Sequence, residues 1–132
     1  MAALDRSAAK PRPIYLNLLA IRLPLPAFVS FLHRVSGALL FLFGTPLLLW
    51  VTQRALASPE GWEAMRAAFA SPGVKLLALV LVWALIHHLL AGVRHLVMDM
   101  HMGVDLKSAR QSAALVFVLA LLLTLAVGVK LW

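Results

Sequence analysis

The sequence predicts an all-α integral membrane protein with three transmembrane helices. Of its 132 residues, 63% are hydrophobic and 13% charged, against about 45–50% apolar and about 25% charged in an ordinary soluble domain. Mean hydropathy is +0.94, and three apolar runs reach the roughly 20 residues a helix needs to cross a bilayer. The basic residues flank those runs instead of clustering with interleaved aromatics. The net charge of +7 therefore reflects membrane topology, and no nucleic-acid partner is expected. There are no cysteines, which excludes disulfides, thiolate-held iron–sulfur clusters and covalent haem attachment through Cys-x-x-Cys-His.

Residues 1–26 read as a cytoplasmic and interfacial segment. Met1 to Pro13 is polar and basic and lacks the apolar core of a secretory signal. Ile14 to Pro26 is interrupted by Asn17, Arg22, Pro24 and Pro26, which suits an interface or a partner-docking surface. Pro26 is placed to serve in the first turn of the following helix, where its missing N–H costs nothing.

The first span is expected over residues 27–51. Its early part carries Ser30, His33, Arg34, Ser36 and Gly37. Offsets of three, four and seven from Ser30 put His33, Arg34 and Gly37 on one stripe. Arg34 lies about 10 Å inside the helix start at 1.5 Å per residue, within reach of headgroups or of a partner. Pro46 is expected to kink the far end. In the connection 52–73, Ser58-Pro59-Glu60 has the form of a helix start, with Ser58 as cap. A short interfacial helix follows, presenting Trp62, Met65 and Phe69 on one face, and Ser71-Pro72-Gly73 ends it.

The second span, residues 74–98, holds the most informative stretch, Ile86-His-His-Leu-Leu-Ala-Gly-Val-Arg-His-Leu-Val-Met-Asp99. His88 falls roughly 18 Å along the helix from Leu76, near the midplane of a hydrocarbon core about 30 Å thick. An imidazole there is expensive unless it serves as a haem or metal ligand, bonds between helices or relays protons. The residues alone leave all three readings open. Gly92 and His95, four and seven residues on, share the face of His88, so a flat ligand at His88 would meet a glycine. His87 points about 100° away. A polar connection (99–111) leads to the third span (112–132), whose only polar breaks are Thr124 and Lys130.

Eight basic residues (Arg6, Lys10, Arg12, Arg22, Arg34, Arg94, Lys107, Arg110) fall on one side of a three-span topology and four (Arg54, Arg66, Lys75, Lys130) on the other. The N-terminus is therefore expected in the cytoplasm. That topology brings His33 and Arg34 to the depth of Arg94 and His95, a basic pocket suited to carboxylates.

Two motifs then carry a resemblance. Ser30-Phe-Leu-His33-Arg34-Val-Ser-Gly37, preceded by Arg12-Pro13 and Ile21-Arg-Leu-Pro24, stands at the right separation from His88-x-x-x-Gly92-Val-Arg94-His95-Leu-x-x-Asp99. With the Ser58-Pro-Glu-Gly61 connection and the Gly128-Val-x-x-Trp132 ending, the chain resembles, over essentially its whole length, the cytochrome b large membrane-anchor subunits of succinate dehydrogenase. That enzyme is succinate:quinone oxidoreductase, complex II. The resemblance implies a multi-pass subunit of a bacterial inner membrane. Its implied partners are a second small anchor subunit, an iron–sulfur subunit and a flavoprotein, and quinone is the substrate.

Residue roles follow from the resemblance position by position. His88 matches the axial ligand of haem b, with the opposite ligand supplied by the other anchor subunit; His87 falls where the family does not require histidine. Ser30 and Arg34 match residues lining the quinone pocket. His33, Arg34 and His95 are candidates for the haem propionates, with Gly92 in the pocket wall. Asp99 is a candidate for proton uptake, against the plainer reading of an ion pair with Arg94 or Arg110. Tyr15 and Asn17 fall in the segment that meets the iron–sulfur protein. The chain has no nucleotide-binding loop, flavin motif or cluster ligands, so no succinate oxidation is expected of it alone. The competing reading is a cofactor-free anchor or proton-conducting subunit of another membrane complex.

Overall fold

A computed structural model describes residues 21–132; the expectations for Arg12, Pro13, Tyr15 and Asn17 lie outside the described residues. Among those described there are helices and no strands: α1 (Leu25–Leu39), α2 (Thr45–Ala57), α3 (Pro59–Phe69), α4 (Pro72–Asp99) and α5 (Leu106–Leu131). A π-helical turn, Leu40–Gly44, joins α1 to α2 without a break. Among the described residues, three helical runs are long and apolar enough to cross a membrane, Leu25–Ala57, Pro72–Asp99 and Leu106–Leu131.

Local sequence explains the boundaries. Pro26 sits in the first turn of α1, where an N–H would have no helical partner anyway. Pro46 sits in the first turn of α2, and the π turn directly before it absorbs the lost backbone bond, with Thr45 N–H reaching back to the Leu40 carbonyl. The distortion expected at Pro46 is therefore a widened turn inside a continuous helix. Ser58 separates α2 from α3, and its hydroxyl accepts a hydrogen bond from Gly61 N–H at 3.0 Å, the cap anticipated from Ser58-Pro59. Gly61 is required by close approach: a side chain there would collide with the Arg54 carbonyl.

At its far end, α4 closes through a Schellman turn. His101 N–H bonds the Met98 carbonyl and Met102 N–H the Val97 carbonyl, with His101 at φ 60° where glycine is usual. Asp105 then caps α5.

The spans α1, α4 and α5 pack as a three-helix bundle. Its buried apolar residues are small, Ala84 and Ala91 on α4 against Ala113, Val116 and Ala120 on α5, with Val29 from α1. Small side chains let backbones approach closely, the form that helix association takes in lipid. Large apolar residues such as Leu76, Leu89, Leu122 and Val129 face outward, as a hydrocarbon solvent permits. Lys75 lies over the Trp132 ring, 5.1 Å from its centre, and ties the start of α4 to the end of α5.

Candidate functional site

The α1–α4 interface gathers three imidazoles into a column. The His33 ring of α1 lies between His88 and His95 of α4. Its centre is 4.2 Å from that of His88 with planes 15° apart, and 4.9 Å from that of His95 with planes 29° apart. Seven residues separate the two α4 histidines, about 10.5 Å of helix rise, and the α1 ring fills that interval.

Two glycines make the column possible. A Cβ built on Gly37 would stand 2.8 Å from Cε1 and 3.2 Å from Nδ1 of His88, and one on Gly92 would stand 3.4 Å from Nε2 of His33. Each helix thus offers a glycine to the other's histidine. Gly37 permits a contact that alanine could not share without movement of the ring.

Hydrogen bonds fix the orientation of two rings. His88 Nδ1 is 3.0 Å from the His33 carbonyl oxygen, and because a carbonyl only accepts, Nδ1 carries the proton and Nε2 is left with its lone pair. Ser36 adds a second contact at 3.4 Å to His88 Nδ1, and its hydroxyl donates to the same His33 carbonyl at 3.0 Å. His95 Nδ1 likewise donates to Ala91 O. The α4 face that carries His88, Gly92 and His95 is half-buried, so it is open to a further helix or a ligand.

Ser30 is half-buried and Arg34 exposed; they continue the α1 stripe of His33 and Gly37. His87 is elsewhere. It is fully buried in the core and stacked on Trp83 with ring centres 5.3 Å apart. Neither ring nitrogen has a hydrogen-bond partner among the described residues; the Val29 backbone faces it without closing a bond of good geometry.

Arg94 does not join the basic pocket expected with His33, Arg34 and His95. It is 7% exposed and turns to α5, where Nε donates to Ser112 Oγ at 3.0 Å and Nη2 to the Ala109 carbonyl at 3.2 Å. Arg94 lies about 120° around α4 from His88, in the sector that α5 occupies. Asp99 is exposed at the end of α4. It forms no ion pair with Arg94 or Arg110, the sole salt bridge among the described residues being Arg66–Glu63. Ser36 and Gly37 belong to the site without having been assigned a role from sequence. Their spacing of three and four from His33 was the available signal.

Residues 8–127 match the family of succinate dehydrogenase/fumarate reductase transmembrane subunits. The chain belongs to that family. Across 122 residues, 92% of the chain and 97% of the relative, it is 35% identical to the succinate dehydrogenase cytochrome b556 subunit of Coxiella burnetii (strain RSA 493 / Nine Mile phase I). It is 33% identical over 102 residues to the protein of the same name from Paracoccus denitrificans, covering 77% of this chain and 78% of that one. Membership makes this chain a membrane-embedded subunit of a larger enzyme, without the whole reaction in its own residues, as its lack of cluster and flavin motifs anticipated.

Proposed function

We propose that the chain is a haem b-binding anchor of succinate dehydrogenase that shares its haem with a second anchor subunit and helps form the site where electrons from succinate reduce quinone. The observation that carries the reading is the His88 ring. Its Nδ1–H is spent on the His33 carbonyl, which leaves Nε2 as the coordinating atom in the manner of a histidine ligand oriented by an outer hydrogen bond. Gly37 lets the His88 ring seat against α1, and the cytochrome b556 names of two relatives support the same group. Bound haem supplies one-electron transfer.

The other roles belong to this chain's own side chains. Arg34 would supply the positive charge, and His33 and His95 hydrogen bonds, to haem propionates, with Gly92 keeping the helix surface low beside them. Ser30 and Arg34 donate hydrogen bonds to the quinone oxygens and stabilise negative charge that arrives ahead of protons. Asp99, exposed at the helix end, passes protons from the cytoplasmic side. The iron–sulfur and flavoprotein partners perform succinate oxidation.

The test is the absorption spectrum of the intact complex. His88→Ala is expected to remove or shift the reduced b-type band while His87→Ala retains it. An unchanged band in the His88 variant would overturn His88 as the ligand, and the absence of any b-type band from the unmodified complex would favour the cofactor-free anchor.

A further inference from the structure

On the side of α4 turned away from the histidine column, α4 and α5 leave a groove of about 330 Å³. Its walls include Leu90, Val97, Leu115 and Leu119, and its end at the α4–α5 connection carries Arg94, Ser108 and Ser112. Val97 stands about 180° around α4 from His88, so the groove and the column are separate features.

The polar end holds an unbalanced charge. Both acceptors of the nearly buried Arg94, Ser112 Oγ and the Ala109 carbonyl, are neutral. Among the described residues no carboxylate pairs with it. Asp105, beside the groove mouth, is committed to the Ser108 N–H, and Asp99 is exposed on the last turn of α4. A guanidinium has five donors, so the Ser112 and Ala109 bonds leave donors over. Withdrawing an unpaired cation from water is costly, and an anion brought to it relieves that cost.

Depth and shape say what kind of anion. α4 has 28 residues, about 42 Å against a hydrocarbon core of about 30 Å, which leaves roughly one turn beyond the core at each end. Arg94 is five residues inside that end, about 7.5 Å, at the boundary between acyl chains and phosphates. An apolar trough leads from it toward the bilayer interior. We propose that this groove binds an anionic phospholipid, with its phosphate on Arg94 at the Ser108–Ser112 end and one acyl chain lying between α4 and α5.

The intact complex, delipidated in detergent, is offered phosphatidylglycerol, phosphatidylcholine, inorganic phosphate or a long-chain quinone, and bound molecules are counted by native mass spectrometry. Retention of phosphatidylglycerol above phosphatidylcholine is expected. Arg94→Gln is expected to weaken it roughly tenfold, the loss of one charge-assisted hydrogen bond. Val97→Trp is expected to abolish it. Val97 is 37% exposed, so tryptophan there fills the groove without entering the core, and this variant decides the matter if Arg94→Gln does not assemble. Full retention in Val97→Trp, equal binding of phosphatidylcholine, or displacement of the lipid by inorganic phosphate or quinone would overturn the proposal.

Discussion

The imidazole of His88 hangs from the backbone of His33: its Nδ1 stands 3.0 Å from that residue's carbonyl oxygen, and its ring lies parallel to the His33 ring 4.2 Å away. One bond thereby sets which nitrogen of His88 is protonated and which remains basic. It also ties the orientation of an α4 side chain to the main chain of α1.

The two glycines at this contact are expected to differ in their tolerance of alanine. A Cβ at Gly37 meets the His88 ring at 2.8 Å, too close to be shared, whereas one at Gly92 meets His33 at 3.4 Å, an ordinary contact. Overpacking of the first kind costs about 1–3 kcal/mol. On the haem-binding reading, Gly37→Ala should lower haem per complex severalfold and Gly92→Ala only slightly, measured as the reduced-minus-oxidised b-band against protein. An equal loss in both would mean that the ring adjusts freely.

Ser30 and Arg34 are expected to act on quinone alone. Replacing Arg34 by alanine removes a charge-assisted hydrogen bond of about 1.5–3 kcal/mol, roughly 10- to 100-fold in quinone-dependent kcat/KM, and Ser30→Ala should cost less. Succinate oxidation with a soluble artificial acceptor, assayed on the same preparations, should stay near the unmodified level. Parallel loss of both activities would assign the two residues to assembly instead.

Acid is expected to loosen the start of α5. The Ser108 side chain first, then its main-chain N–H, holds the Asp105 carboxyl below the ordinary aspartate range. A depressed carboxyl contributes its stability fully above the ordinary aspartate value and loses it as pH falls through the lower native value. Protection of the amides in the first turn of α5, measured against their intrinsic exchange rates, should therefore fall below about pH 4. Asp105→Asn, which keeps an accepting oxygen without the charge, should flatten that dependence. Persistence of the full dependence in Asp105→Asn would place the titrating group elsewhere.

Sequence alone determined the class, the three spans, the cap at Ser58 and the shared face of His88, Gly92 and His95. These rest on local rules: apolar length, 3.6-residue periodicity and the chemistry of helix starts. It also placed His87 and His88 about 100° apart without saying which faced the core. Tertiary packing decided that, burying His87 against Trp83 and leaving His88 on the half-open α1 face. The same packing sent Arg94 to Ser112 on α5, although depth had suggested the company of His33 and His95. Depth follows from residue number in a helix, but direction depends on which neighbour occupies each sector. Ser36 and Gly37 entered the site for that reason, as the positions where α1 comes closest to the His88 ring.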